Sequence, residues 1–366
     1  MSSWLSSAAS GASETLKAPD VVAGQTLYSS CCGYSVLEFI GEGAFGKVAK
    51  CLNLTSRETV AVKIMKKDIE FIQDIDDEVT MLNMISVLDS DHCNVVKFFE
   101  QFDHMGQTCL AFEMLDCSLY DLLEERDWRP LCLHEIQAVA QQLLVALDAL
   151  RGLRILHTDI KPDNVMFVNR QDRPFSVKLI DFGAAIPASE VEPGMMIQPT
   201  GYRAPEVSLG LPFTESVDVW GVGCILAFLY LAENLFPVDC DYQMIKCMVQ
   251  VVGQPEDHVL SAAQYTPCFF IEEEAGESTT WRLMTPEEFT TASSMKPEER
   301  NSFIELPGSL DDLVNIYPEG KAADSEDRRI FIDMLKGLLH LDGDQRSSPC
   351  QALQHSFFTR SHPQEI

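Results

Sequence analysis

The hydrophobic period changes part-way along the chain, and that change restricts the fold more than any other feature. From Tyr34 the apolar residues come in short runs, YSVLEFI, KVAKCLN and TVAVKIM, rich in β-branched residues and separated by turn residues. A helical stretch follows, in which Phe71, Ile75, Val79, Leu82 and Ile85 recur at spacings of three and four. Two further strand-like runs come next, VVKFFEQF and TCLAFEML. After Asp116 the period becomes helical: in LHEIQAVAQQLLVALDALRGL, residues Ile136, Val139, Leu143, Leu147 and Leu150 fall on one side. The reading is an α+β chain, with a small sheet-plus-helix unit before a larger, mainly helical one and a hinge at 113–117. A length of 366 residues is enough for two such lobes with real cores. Residues 1–33, rich in Ser, Ala and Gly, are expected to be disordered, and 234–325, with Pro, Thr and acidic clusters, to be irregular. The apolar run VWGVGCILAFLYLA (219–232) is too short to span a bilayer and reads as a buried core helix.

The motifs sit at defined places on this frame. GEGAFGKV comprises Gly41, Glu42, Gly43, Ala44, Phe45, Gly46, Lys47 and Val48. Glycines at such spacing let backbone N–H groups approach phosphates closely. The same letters serve dinucleotide-binding folds, but those place a helix after the loop. Here the loop lies between two strands and VAVK follows, which favours a lid over the phosphates of ATP; taken alone it is also a plain hairpin turn. Lys63 ends an alternating strand, where a phosphate-binding cation is wanted. Glu78, on the amphipathic helix, is a carboxylate partner for it. Asp74, Asp76 and Asp77 compete for that role, and Glu78 is favoured because Val79 and Leu82 beside it face inward.

HTDIKPDN (157–164) carries the most chemistry. Asp159 can accept the proton of an attacking hydroxyl, Lys161 can neutralise a transferring phosphoryl group, and Asn164 can ligate a metal. Seventeen residues beyond Asn164 begins DFG, whose Asp181 supplies a carboxylate for Mg²⁺. His157 reads as a packed structural residue. APE (204–206) follows. Each motif alone could arise by chance; all of them in this order could hardly do so.

With these motifs the chain resembles the protein kinases. More narrowly it resembles the homeodomain-interacting protein kinases, relatives of the dual-specificity tyrosine-regulated kinases in the CMGC group. The resembling stretches are YSVLEFIGEGAFGKVAKC, FEMLDCSLYDLL, RAPEVSLGLPFTESVDVWGVGC and DGDQRSSPCQALQHSFF, within roughly 34–358. The resemblance implies a bilobal kinase domain over 34–358, with an N-lobe at 34–113, a C-lobe at 118–358 and a short tail at 359–366. It implies ATP at the hinge, with Val48 and Ala61 roofing the adenine and Phe112 as gatekeeper. Backbone atoms of Glu113 and Leu115 would meet the adenine edge, and Ser118 is a weaker candidate for the ribose. Lys63 and Glu78 would position the nucleotide, Asn164 and Asp181 would bind Mg²⁺, Glu206 would pair with Arg346, and Asp218 would brace the catalytic loop. The implied activity is ATP-dependent transfer to Ser/Thr of protein substrates, proline-directed, with transcription regulators among the partners. The alternative is a nucleotide-binding pseudokinase that competes with longer relatives.

Four positions depart from the common kinase pattern or from that of the similar family. Threonine stands at 158, where many kinases carry an arginine for an activation-loop phosphate. Met196 stands where the similar family has a phosphorylated tyrosine, and Thr200 where it has an arginine; Arg203 remains. Pro199 stands where a Ser or Thr hydroxyl usually bonds the catalytic aspartate, and Thr200 is a substitute one residue on. A loop so altered is expected either to be ordered without phosphate by packing, with Met195, Met196 and Ile197 as the apolar candidates, or to remain mobile.

The formal net charge of −29 argues against nucleic acid and against an anionic membrane surface; it would attract basic partners, and it is equally read as a solvated acidic face that aids solubility. The twelve cysteines include no C-x-x-C pair, which leaves structural zinc without a ligand pattern and fits reduced thiols. MSSWLSSAASGASETLKAP has neither a basic n-region nor an apolar h-region, so no secretory leader is expected. The expectation is an intracellular monomer, nuclear or cytoplasmic.

Overall fold

The structure, a computed structural model, describes residues 21–43, 46–66, 72–275, 278–298, 307–317 and 322–360. The chain divides into two compact units. One comprises Phe99–Met114 and the residues before Gln73; the other comprises Gln73–Phe98 and the residues from Leu115 onward.

The first unit is a six-stranded sheet made of β1 (Thr26–Tyr28), β2 (Gly33–Glu42), β3 (Gly46–Asn53), β4 (Thr59–Met65), β5 (Phe98–His104) and β6 (Gln107–Glu113). Its spatial order is β1-β2-β3-β4-β6-β5. Alternation decides which face is buried: Val60, Val62 and Ile64 of β4 join Tyr34, Val36, Ala49, Cys51 and Ala111 in one core. The strand β1 corrects the expectation of disorder through residue 33. Leu27 is fully buried in that core and pairs with Tyr34. Three residues are too few for a period to show, and residues 1–20 lie outside the described ones.

The second unit begins with α1 (Ile72–Ile85) and continues with α2 (Leu119–Glu125), α3 (Leu133–Gly152), β7 (Ile155–Leu156), β8 (Val165–Asn169), β9 (Arg173–Leu179), β10 (Ile186–Pro187), α4 (Pro205–Leu209) and α5 (Ser216–Leu231). Helix α1 groups with this unit rather than with the sheet expected to carry it, because the segment after it is tied to β9. Val96 N–H donates to Leu179 O at 2.9 Å, and Leu179 N–H donates to Asn94 O at 2.9 Å. The expected apolar face of α3 is buried at all five positions, Ile136, Val139, Leu143, Leu147 and Leu150. Helix α5 is buried from Val217 to Leu231, as an all-round apolar helix must be, and packs on α3. Among the described residues no helix is long and apolar enough to cross a membrane.

Among its described residues the region 234–325 is largely regular, against expectation. It holds α6 (Asp241–Val251), α7 (Asp257–Ala262), the hairpin β11 (Phe270–Ala275) and β12 (Ser278–Leu283), and α8 (Pro286–Ser293), before α9 (Ala322–Leu338). Tyr242, Met284 and Phe289 form a small core of their own. The acidic clusters do structural work: Thr285 and Glu288 cap α8 reciprocally, and Arg282 binds both Glu288 and Glu273. Two short helices, α10 (Pro349–Leu353) and α11 (Ser356–Thr359), end the described chain. All twelve cysteines are free thiols, and burial pushes those of Cys51 and Cys109 up to about 12.

Candidate active site

The catalytic-loop residues are positioned from beneath by α5. The Asp218 carboxylate is buried and accepts from His157 N–H at 2.6 Å and Thr158 N–H at 2.9 Å. Burial pushes this carboxyl up, against the opposing pull of His157 and the two backbone donors. Its grip matters because Thr158 lies at φ +63°, a left-handed conformation that a β-branched residue adopts only under constraint. Close approach of α5 completes the support. A Cβ on Gly221 would stand 2.8 Å from Ile160 Cβ, one residue past Asp159. Gly221→Ala should therefore push the loop off α5 and cost about 1–3 kcal/mol, more than the helix propensity it gains. Urea unfolding with a fixed m-value checks this, and an unchanged midpoint would refute it.

His157 is fully buried, as expected of a packed residue. Its ring bridges Asp159 N and Ile180 O, at 3.3 and 3.0 Å, and stands edge-on to Phe182. It thus joins the loop to the strand end that delivers Asp181. The Asp159 carboxylate is held at one oxygen: Oδ2 accepts from Lys161 Nζ at 2.8 Å and from Asn164 Nδ2 at 2.7 Å. The same Asn164 amide donates to Asp159 O at 2.9 Å. That use of its nitrogen leaves the Asn164 side-chain oxygen available to a cation. Ile180 N–H donates to Asn164 O at 2.9 Å, which brings Asn164 beside Asp181, itself at φ +60°. One carboxylate and one amide oxygen, with no nitrogen or sulfur donor, suit Mg²⁺, which takes one or two protein carboxylates and completes its shell with phosphate oxygens. The residues therefore fit the expected ion. Among the described residues no cluster of three or more His, Cys, Asp or Glu could hold a metal by itself.

Glu78 is buried, whereas Asp76 and Asp77 are exposed; the Asp74 side chain lies outside the description. The Glu78 carboxylate lies against the DFG turn, where a Cβ on Gly183 would come within 3.5 Å of it. On the sheet unit, Val48 pairs with Lys63, and Ala61 with Phe112. Strand pairing puts all four on the face opposite the buried Val60, Val62 and Ile64. The glycine loop is closed by Gly43 N–H donating to Gly46 O at 2.8 Å, and Lys66 Nζ donates to Gly43 O. Gly46 admits no side chain, since a Cβ would stand 2.3 Å from Ile64 O, while a Cβ on Gly41 would make ordinary contact with Val48 at 3.9 Å and Gly43 faces open space. Gly41 and Glu42 end β2, and Ala44 and Phe45 lie outside the described residues. Glu113 ends β6, opposite Val60, and Leu115 is buried.

Ser118 has a structural role that the sequence reading missed. It is buried as the N-cap of α2: its hydroxyl donates to Asp121 Oδ2 at 2.7 Å and accepts from Asp121 N–H at 3.1 Å. The spacing S-L-Y-D was a capping signal in the sequence.

The activation segment also differs from expectation. Met196 is 53% exposed and does not anchor it. The anchors are hydrogen bonds: Thr158 Oγ1 donates to Ala184 O at 2.6 Å, and the buried Gln198 side chain donates to Val217 O and accepts from Ala204 N–H, each at 3.0 Å. Arg203, the arginine that remains, is only 12% exposed at its side chain. It donates to Ile197 O and Gln198 O at 2.9–3.2 Å and pairs with Asp241 at 2.9 Å. Thr200 makes no side-chain hydrogen bond to Asp159 among the described residues, so nothing there replaces the hydroxyl lacking at Pro199. The Tyr202 hydroxyl donates to Asn234, and burial pushes it well above the usual phenol range.

The protein kinase domain family matches residues 34–358, over the motifs whose geometry is given above. The chain belongs to the protein kinase family. Within that family it is similar to homeodomain-interacting protein kinase 1 of Mus musculus, 39% identical over 92% of this chain and 28% of that protein. Homeodomain-interacting protein kinase 2 of Mus musculus is 38% identical over 92% of this chain and 29% of that protein. For homeodomain-interacting protein kinase 4 of Homo sapiens the figures are 34%, 91% and 56%. The chain thus spans between about a quarter and a little over half of the length of these relatives.

Proposed function

We propose that this kinase transfers the γ-phosphoryl group of ATP to serine and threonine hydroxyls that precede proline. The observation that carries the reading is the state of Asp159. Lys161 and Asn164 fix its Oδ2, and this orients Oδ1 to accept the proton of an incoming hydroxyl. Lys161 brings positive charge to the same point, where the transferring group gathers negative charge. Asn164 and Asp181 would hold Mg²⁺, which supplies charge neutralisation on the phosphates. Val48, Ala61 and Lys63 would meet the nucleotide from their shared face of the sheet.

Proline direction has its own support in Gln198, at φ +65°. Its carbonyl is turned to the Arg203 guanidinium. A residue after the acceptor would find no carbonyl there for its N–H, and proline has no N–H to lose. Ser-Pro peptides should exceed Ser-Ala peptides by about tenfold or more in kcat/KM, the ratio expected for one unsatisfied donor. A peptide array without enrichment of proline after the acceptor would reject this. The charge of −29 favours basic proteins as substrates, and DNA-binding transcription regulators are of that kind. The reading places the chain inside the cell, as a monomer.

The bare position at Pro199 favours a second reading, a pseudokinase that binds nucleotide without turnover. Transfer of label from γ-labelled ATP to a generic basic protein separates the two. Labelling above an enzyme-free blank supports the kinase, and nucleotide binding without labelling supports the alternative.

A further inference from the structure

Arg203 is a cation that a loop phosphate would ordinarily occupy, and in this chain a carboxylate already occupies it. Asp241, in the first turn of α6, accepts from Arg203 Nη1 at 2.9 Å. The rest of the guanidinium closes on the carbonyls of Ile197 and Gln198. Upstream, a second anchor comes from the same region of the chain. Tyr265 N–H donates to Leu209 O at 2.8 Å, and its ring lies on Gly210, where a Cβ would stand 2.7 Å from Cδ2. Gly210, at φ +71°, ends α4. From that seat the Tyr265 hydroxyl reaches the activation segment and donates to Gly194 O at 2.9 Å. Gly194 itself lies at φ +82°, and two residues on Met196 occupies the place of the missing phosphotyrosine.

We propose that Asp241 and Tyr265 together lock the activation segment in its working shape, supplying the anion and the tether that a loop phosphate supplies elsewhere. Both are positioning residues, since neither reaches the reacting atoms, and the proposal rests on the kinase reading. The physical case is one of matched parts. A phosphate orders a loop by adding charge for arginines to clamp. Here the clamp has one arginine, so a single carboxylate suffices, and at the start of α6 the helix dipole favours it. The tyrosine supplies the second point of attachment. Gln198 pins the middle of 194–203 to Val217 and Ala204, and the bonds from Tyr265 and Asp241 fix the stretch on either side of it. The fixed stretch carries Gln198, whose carbonyl direction underlies the proline preference, so the lock acts on peptide recognition and not on nucleotide.

The test uses the full chain after phosphatase treatment, with mass spectrometry to verify that no loop phosphate remains. The variants are Tyr265→Phe, Asp241→Asn and the conservative Asp241→Glu. Hydrogen exchange of the amides at 195–198 is read first, because it needs no turnover. Exchange in Tyr265→Phe and Asp241→Asn should be about fivefold faster, the ratio that one net hydrogen bond is worth, with an unchanged Tm. Peptide KM should rise about fivefold in the same two variants while ATP KM stays fixed, and Asp241→Glu should restore most of it. Unchanged exchange and unchanged peptide KM in Tyr265→Phe would overturn the proposal. So would a large loss of wild-type rate that tracks removal of one loop phosphate. If the wild type transfers no phosphate yet exchange responds to both variants, the lock stands and the kinase reading falls.

Discussion

Asp159→Asn should lower the rate of phosphoryl transfer by about 10²- to 10⁴-fold, the usual contribution of a positioned general base. The amide cannot take a proton from the attacking hydroxyl. It can still accept from Asn164 through its oxygen, so the loop should keep its shape. Nucleotide affinity should stay within about twofold, because Asp159 acts on the hydroxyl and not on ATP. The cost in stability should be small, since Lys161 and Asp159 are both partly exposed, at 31% and 20% of their side chains, and such pairs contribute little. Single-turnover rates and nucleotide titration on the same preparation check both halves. Equal turnover in variant and wild type would remove Asp159 from the mechanism. A fall in nucleotide affinity as large as the fall in rate would show that it holds ligand instead.

How much of this was legible beforehand depends on the range over which each feature is encoded. The catalytic loop was legible because its chemistry is local: Asp159, Lys161 and Asn164 lie within six residues, and the chain need only turn once to bring them together. The two-unit organisation was legible from periodicity, and the buried face of α3 follows the spacing at every position. Failures came where two local signals competed. The helix cap at Ser118, made by the aspartate three residues on, went unread. The acidic clusters of 234–325 suggested irregular chain, yet Thr285, Pro286 and Glu288 spell a helix start. Long-range partners were not legible at all. Nothing near Gly194 announces Tyr265, 71 positions later, and Arg203 gives no hint of Asp241. The expectation that Met196 would pack failed for the same reason: an apolar side chain raises the odds of burial, but the contacts made by this segment come from polar groups far along the chain.

The largest effect on stability should come from Arg346→Ala. Its side chain is fully buried, and it binds the Glu206 carboxylate with both nitrogens of its fork, Nη1 at 2.7 Å and Nη2 at 2.9 Å. Nε donates to His340 O and Nη1 also donates to Ser216 O, while the guanidinium lies 5.2 Å from the centre of the Trp220 ring. One side chain thus ties α4 to the start of α5 and to the loop after α9. Truncation would strand Glu206 as a buried charge and leave two carbonyls open. Removal of one partner from a buried pair costs about 3–5 kcal/mol, a large fraction of what holds a domain together. Lysine should not rescue it, because a single ammonium cannot serve both carboxylate oxygens and two carbonyls in one plane. The double variant Glu206→Gln with Arg346→Met should recover part of the loss, since it removes the stranded charge. Denaturant unfolding of the three variants decides the matter. If Arg346→Ala unfolds at the wild-type midpoint, the pair is not what joins these elements. If the double variant is no better than the single, the loss lies in the carbonyls and the Trp220 contact and not in Glu206. Active protein per folded molecule should stay near wild type for nucleotide binding, because the pair lies beneath α4 and touches none of the residues assigned to ATP.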